Sequence, residues 1–157
     1  MASISRIHPL KRLATTLLVL VCLALSHESV AKTATIEEVR SLARLYFAAF
    51  DRQPNISGLN FWVVSLESNV SYIDIAKRFY ESPEFKARYG PLADQKYVAQ
   101  LYQNVLGRAG AESGTAFWLQ QLAKGASRAL VLSKFSDSPE NIAKTSELFG
   151  DMRFVGG

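Results

Sequence analysis

The chain has 157 residues, with 18 Lys or Arg and 14 Asp or Glu, which gives a net charge of +4. A chain of this length holds one compact domain or two very small ones. The positive excess is too small to make an electrostatic case for binding nucleic acid, so we predict no nucleic-acid partner.

The first 31 residues follow the order of a secretory signal peptide. A basic opening precedes the apolar run Leu13–Leu25, and the small residues Ser29 and Ala31 occupy the −3 and −1 positions before Lys32. We therefore predict cleavage after Ala31 and a periplasmic or extracellular protein that meets the membrane only transiently, through this peptide. The alternative is a retained N-terminal anchor, although a run of 13 residues is short for a membrane span.

Cleavage at this point would remove the only cysteine, Cys22, and both histidines, His8 and His27. It would leave 15 basic and 13 acidic residues. A chain without Cys or His has no disulfide, no zinc site of the usual kind and no Ser-His-Asp or Cys-His nucleophile. We predict no metal, no cofactor and no catalytic residue. The alternative is a small envelope hydrolase, because paired carboxylates can cleave glycosides without histidine.

The first predicted helix begins after Thr35, which forms a capping-box pattern with Glu38. Apolar residues then recur at steps of three and four as far as Phe50, which is one face of a helix. Pro54 and Asn55 predict a turn after this helix. The side chain of Asn55 can also accept a hydrogen bond from a backbone N–H and so cap the next helix.

Two further helices and a corner complete the first half of the chain. One helix is expected at about Ser57–Ser68, and the next begins at Ser71, where Asp74 repeats the capping pattern. The motif Ser82–Glu84 reads Ser-Pro-Glu. Serine caps a helix start, proline suits the first helical position, and glutamate faces the positive end of the helix dipole. The motif therefore predicts that one helix stops and another starts at once.

The segment Ser41–Phe85 repeats without a gap in Tyr97–Asn141, 56 positions later. Fourteen of the 45 aligned positions are identical, far more than unrelated segments share. In the first copy the matches that carry the pattern are Leu45, Tyr46, Arg52, Ser57, Gly58, Phe61, Trp62, Leu66, Ser71, Phe79, Ser82, Pro83 and Glu84. The chain is thus predicted to contain two copies of one helical unit.

The second copy predicts helices near residues 93–106, 113–123, 127–136 and 139–149, with Gly107, Gly125 and Gly150 at left-handed helix ends. No segment alternates as a strand would. One copy of 56 residues would be marginally stable alone, so we expect both to pack into one all-α bundle. The predicted domain covers residues 34–150, with repeats at about 36–89 and 92–149, and residues 151–157 form a tail.

The segment Leu101–Glu140, "LYQNVLGRAGAESGTAFWLQQLAKGASRALVLSKFSDSPE", resembles the bacterial domain of unknown function 4214, and Leu45–Phe85 resembles it more loosely. Members of that family are helical and often belong to secreted or cell-surface proteins, and the resemblance implies no activity. The Pro-Asp turn of the family pattern is replaced by Gly110-Ala111 in the second copy. Because Ala111 has no capping side chain, Ser113 is expected to cap the following helix instead.

The paired arginines Arg52 and Arg108 are the first candidate ligand-binding residues. Each follows an apolar helix end and precedes a turn, where a guanidinium could hold a carboxylate, a sulfate or an acidic sugar with two hydrogen bonds. The structural alternative is an arginine that donates to carbonyls at the end of its own helix or in the adjacent turn.

Trp62 and Trp118 are the second pair of candidates, because exposed aromatic rings can stack on sugars. Their neighbours Phe61 and Phe117, and their matched places on helices, favour packing in the core instead. From the whole sequence we predict a non-catalytic binding or scaffolding module of the bacterial cell envelope. Its expected partner is an envelope protein or a surface polysaccharide, and the alternative without any ligand is a purely structural unit.

Overall fold

The computed structural model describes residues 32–150, and within that range the chain forms eight helices and no strand. The all-α prediction is confirmed. In chain order the helices are α1 Ile36–Phe50, α2 Ile56–Glu67, α3 Tyr72–Glu81, α4 Pro83–Tyr89, α5 Asp94–Leu101, α6 Glu112–Ala123, α7 Arg128–Ser136 and α8 Pro139–Gly150. Helix α5 continues as a π-helical turn at Tyr102–Leu106. The predicted signal peptide and the predicted tail lie outside the described residues.

The helices repeat with the 56-residue offset of the sequence. Helix α6 occupies the residues aligned with α2, and α7 and α8 begin at the residues aligned with the starts of α3 and α4. The first helix of each copy also ends in the same way, because Asp51 and Gly107 both adopt the left-handed conformation, with φ of 51° and 69°. The prediction of two related helical units is therefore confirmed at the level of single helix ends.

Serine and threonine side chains start several of the helices as predicted. Thr35 accepts a hydrogen bond from the N–H of Glu38 and completes the capping box of α1. Ser82 ends α3 and caps α4, where its Oγ accepts from the N–H of Phe85 at 3.1 Å. Ser138 accepts from the N–H of Asn141 at 3.3 Å in the second copy. The Ser-Pro-Glu motif is therefore a helix corner in both copies.

The prediction for the start of α6 is wrong. Ala111 is the N-cap residue of α6 and makes no side-chain hydrogen bond, whereas Ser113 lies inside the helix. In the first copy the aligned residue Asn55 does cap α2, because its Oδ1 accepts from the N–H of Gly58 at 2.7 Å. Loss of the asparagine thus leaves α6 uncapped, since a serine one residue past the helix start is too late to replace it.

Helix α1 lies at the centre of the described part of the bundle and packs against α7 of the second copy. The most extensive contact joins α3 to α7, the two matching helices of the two copies. The core is therefore shared between the copies. Its largest fully buried side chains are Leu42, Leu45, Ile75, Phe79, Tyr97, Val98, Leu101, Val131 and Leu132.

Candidate functional site

In each copy a tyrosine of the first helix packs on a glycine of the second. The Tyr46 hydroxyl lies beside Gly58 and accepts a hydrogen bond from Trp62 Nε1 at 3.1 Å. In the second copy, Tyr102 packs on Gly114 in the same way. Any larger residue at either glycine would meet the hydroxyl, so the repeated tyrosine and glycine are explained by close packing.

Arg52 closes this cluster in the first copy. Its Nε and Nη2 donate to both carboxylate oxygens of Glu84, at 2.7 and 2.9 Å. Its Nη1 donates to the carbonyl of Gln53 at 3.1 Å. The guanidinium also lies 5.2 Å from the centre of the Tyr46 ring. Arg52 therefore ties the end of α1 to the corner that begins α4.

Arg108 repeats the arrangement in the second copy. Its Nε and Nη2 donate to Glu140, both at 2.7 Å, and its Nη1 donates to the carbonyl of Ala109 at 3.1 Å. The guanidinium lies 5.4 Å from the centre of the Tyr102 ring. One donor of each arginine, Nη1, bonds to a carbonyl of the adjacent turn, as the structural alternative predicts. The other two bonds go to a carboxylate, and in both copies that carboxylate lies 32 residues later.

The glutamate of the Ser-Pro-Glu motif is the partner that sequence reasoning missed. From the sequence, Glu84 and Glu140 are predicted only to face the positive end of a helix dipole, because each lies in the first turn of a helix. The arginine and the glutamate are 32 residues apart in both copies, and this repeated spacing is the sequence signal from which the pair could be predicted. Arg52 and Arg108 already hold a carboxylate from their own copy, and ligand binding by them stays a prediction.

The two tryptophans are half-buried and lean on the core. The ring centre of Trp62 lies 5.1 Å from that of Phe79, and Trp118 lies 5.3 Å from Phe135. The neighbouring phenylalanines are not buried with them as an aromatic pair in the core would be, because Phe61 is 57% exposed and Phe117 is 51% exposed. Each phenylalanine lies on the outer side of its helix. Sugar stacking by the tryptophans stays a prediction.

A buried arginine that the sequence did not single out joins the two copies. The side chain of Arg44 is only 4% exposed, and its Nε donates to Asp137 Oδ1 at 2.8 Å. Its Nη2 donates to Glu37 Oε1 at 2.7 Å and to Ser41 Oγ at 2.8 Å. These ion pairs keep the pKa of Arg44 above its usual range, although burial alone would lower it. Arg44 lies within the apolar periodicity of α1, which is why the pattern hid it.

Between residues 32 and 150, three carboxyl groups have a shifted pKa, and in each the shift is downward. Lys32 and the Thr35 backbone lower the pKa of Glu38 to about 2. The hydrogen bonds from Arg52 and Arg108 lower the pKa of Glu84 and Glu140. All three carboxyls are therefore held as carboxylates, the form that pairs with a cation.

The described residues contain neither a metal-binding cluster nor a membrane-spanning helix. Between residues 32 and 150, no group of three or more His, Cys, Asp or Glu side chains is placed to hold a metal ion. No helix in the same range is long and apolar enough to cross a membrane.

Helices α2 and α6 carry large apolar side chains and are poorly covered by the rest of the described bundle. Only Leu59 and Leu66 of α2 are buried, and none of the twelve residues of α6 is. Among the described residues of α2, the most exposed apolar side chains are Ile56 at 81%, Phe61 at 57% and Val64 at 58%. Each helix carries one charged residue, Glu67 at the end of α2 and Glu112 at the start of α6.

The fold and these clusters define an all-α protein built from two copies of one helical unit, each locked by a tyrosine–glycine contact and an arginine–glutamate pair. The model of the family described as Domain of unknown function (DUF4214) matches the chain twice, at residues 22–86 and 76–145. These matches cover well over half of the chain, and the protein belongs to that family. A search of curated proteins and a search of solved structures each found no match.

Proposed function

We propose that this protein is a non-catalytic, secreted or periplasmic binding module that holds a protein partner at the bacterial cell envelope. The observation that carries the proposal is α2, where Ile56, Phe61 and Val64 are exposed and only two of the twelve residues are buried. A helix with this many apolar residues is normally covered by neighbouring elements of the protein, because exposed apolar surface costs free energy in water. An exposed apolar face of this kind marks an interaction surface.

A protein fits this face better than a polysaccharide does. Phe61, Val64 and Ile56 offer apolar surface and no hydrogen-bonding group, whereas a sugar presents hydroxyls that need partners. The second copy repeats the aromatic anchor at Phe117, in the aligned position of α6. Aromatic side chains are frequent anchors of protein interfaces. A partner helix or loop laid against α2 would cover Phe61, and the same kind of contact on α6 would cover Phe117.

The three carboxyl groups whose pKa is shifted do not have the shift that hydrolysis would require. A glycosidase of the alternative type needs one carboxyl that stays protonated to act as the acid, and therefore a raised pKa. The shifts found for Glu38, Glu84 and Glu140 go the other way, and a basic side chain causes each of them. The secreted location is proposed from the N-terminal sequence pattern.

Photo-crosslinking in the organism that makes the protein tests the proposal. A photoreactive phenylalanine analogue placed at Phe61, and separately at Phe117, should form an adduct with one defined envelope protein. That protein, once purified, should bind the chain, and Phe61→Ser combined with Phe117→Ser should weaken binding by at least about tenfold, the loss of one buried aromatic anchor or more.

Ile73→Ser is the matched control, because Ile73 is a similarly exposed apolar residue, at 46%, on a different helix, α3. This variant should bind the partner as the unmodified chain does. Equal loss in Ile73→Ser and in the phenylalanine variants would contradict the assignment to α2 and α6. Binding of a bacterial polysaccharide that depends on Arg52 and Arg108 would instead favour the polysaccharide alternative.

A further inference from the structure

A cleft of about 380 Å³ lies where the first copy meets the second. Its wall includes Ser41 of α1, Asn69 in the turn before α3, Tyr72 at the start of α3, and Asp137 just after α7. A volume of this size falls in the range of small-molecule sites. The outer residues Phe61 and Phe117 do not line the cleft, so a ligand could bind there whether or not a protein partner covers α2 and α6.

A buried polar network fixes the floor of the cleft. Arg44 donates to Asp137 Oδ1 at 2.8 Å and to Ser41 Oγ at 2.8 Å. The Tyr72 hydroxyl donates to the carbonyl of Ser41 at 3.1 Å and lies 3.1 Å from Ser136 Oγ. These bonds hold the carboxylate of Asp137 and the ring of Tyr72 in place before any ligand arrives, which lowers the entropy cost of binding.

The polar groups of the cleft that remain available to a ligand are a carboxylate oxygen and a side-chain amide. Within residues 32–150, no hydrogen bond engages Asp137 Oδ2 or the side-chain amide of Asn69. The cation at the rim, Lys32, is already paired with Glu38 at 2.8 Å. A carboxylate oxygen that accepts and an amide that both donates and accepts suit the neighbouring hydroxyls of a sugar. The paired lysine gives an anionic ligand no advantage.

Comparison of the two copies shows that these residues are not required to build the unit. The positions aligned with Ser41, Asn69 and Tyr72 are Tyr97, Gly125 and Arg128. In the second copy Tyr97 is buried, and its hydroxyl donates to the carbonyl of Arg128 at 2.7 Å. The side chain of Arg128 pairs with Asp94 at 2.7 Å. The same helical unit thus forms with a different set of residues at this place.

We propose that the cleft between the copies binds one neutral hexose unit of a polysaccharide, with Asp137 Oδ2 and the Asn69 amide bonding its hydroxyls. The apolar side chains of Leu66 and Val70, which also line the cleft, contact the C–H face of the ring. The site is distinct from the predicted contacts at Arg52 and Arg108, which lie at the helix corners.

The test uses protein that begins at Lys32, because the described residues from there on enclose their own core. Saturation-transfer NMR and calorimetry are run with methyl glucoside, methyl galactoside and N-acetylglucosamine as probes. We expect saturable binding of at least one probe. Asn69→Gly removes the amide and installs the residue of the second copy, whose backbone is also left-handed, with φ of 95°. Binding should weaken about tenfold, the cost of two lost hydrogen bonds.

Two more variants separate a lost contact from a lost fold. Ser41→Tyr, the residue of the second copy, should block the cleft, and Asn60→Gly should leave binding unchanged because Asn60 lies on α2 outside the cleft. The proposal is overturned if none of the three sugars binds the unmodified protein. It is also overturned if Asn69→Gly and Ser41→Tyr bind as the unmodified protein does while their melting curves stay cooperative.

Discussion

The hydroxyl of Tyr46 lies 2.5 Å from the point where a β-carbon on Gly58 would stand. This contact makes Gly58 a packing residue inside a helix, where alanine would otherwise be favoured by about 1 kcal/mol. We expect Gly58→Ala to lower the free energy of unfolding by about 1–3 kcal/mol, because overpacking outweighs the gain in helix propensity. Urea unfolding followed by circular dichroism measures the change.

The Tyr46 hydroxyl is the nearer of the two atoms that crowd this point, since Asn55 Oδ1 lies 2.8 Å from it, and a second substitution isolates its share. Tyr46→Phe removes the hydroxyl that the new methyl group would meet, so the double variant should recover part of the loss, a coupling of at least about 0.5 kcal/mol. Ser57→Ala is the control, since Ser57 is exposed one residue earlier in the same helix. A stabilising Gly58→Ala would show that the tyrosine can move aside at no cost.

Gly125 offers a test of backbone strain alone. Its φ is 95°, and a β-carbon there would meet nothing within 4 Å. Gly125→Ala should therefore destabilise the protein by about 1 kcal/mol, through the conformation rather than through any clash. In the first copy, Asn69 takes the same position with φ of 63°, so Asn69→Gly should be neutral or stabilising. Thermal melting of both variants measures the direction of each change in stability, and an unchanged or higher melting temperature for Gly125→Ala would contradict the prediction.

The arginine–glutamate pairs should contribute to stability through their geometry. Lysine keeps the charge but cannot make the two parallel bonds and the carbonyl bond that Arg52 and Arg108 make. We expect Arg52→Lys and Arg108→Lys each to lower the melting temperature. The difference should shrink in high salt, because these pairs are largely exposed and salt screens them.

Melting curves at low and high ionic strength measure this effect. Lys77→Ala is a control for loss of a surface charge, since Lys77 makes only a long contact of 4.0 Å with Glu81. Unchanged melting of both arginine variants would remove the structural explanation. It would then strengthen the prediction that Arg52 and Arg108 contact a ligand.

Arg44 should be the most sensitive charged residue among those described. Arg44→Ala leaves Asp137 and Glu37 without their shared partner and opens a gap beside α7. We expect a loss of about 1–3 kcal/mol in the free energy of unfolding, from the packing and hydrogen bonds of a buried side chain, because the carboxylates left on Glu37 and Asp137 are 59% and 29% exposed and can be solvated. Arg40→Ala, one turn earlier and with a side chain that is 32% exposed, should cost much less. Equal effects in chemical unfolding would mean that burial of Arg44 is not the cause.

The Glu38 carboxyl should make stability depend on acid pH. The hydrogen bond from Lys32 and the capping bonds of Thr35 lower its pKa from 4.5 to about 2 in the folded protein. Because the folded state favours the carboxylate, this contribution is complete above pH about 4.5 and is lost as the pH falls toward 2. The stability difference between the unmodified protein and Glu38→Gln should shrink across that interval. A difference that stays constant from neutral pH to pH 2 would contradict it.

Local signals explain why most helix starts and ends were predictable. The Thr35 capping box, the Ser71 cap and the Ser-Pro-Glu corner each depend on residues within one helical turn, and all three formed as expected. At Ala111 the capping side chain is absent, and the prediction that Ser113 caps the helix in its place is wrong. A cap depends on one position, and a serine inside the helix cannot serve it.

The sequence by itself determined the all-α class, the two copies and the positions of their helices, because periodicity, caps and internal identity are properties of neighbouring or aligned residues. Only the tertiary structure decided which side chains meet. It paired Arg52 with Glu84, buried Arg44 between the copies and left Phe61 exposed beside a half-buried tryptophan. Those outcomes depend on which face of each helix its neighbours cover, and contacts between residues far apart in the chain fix that choice.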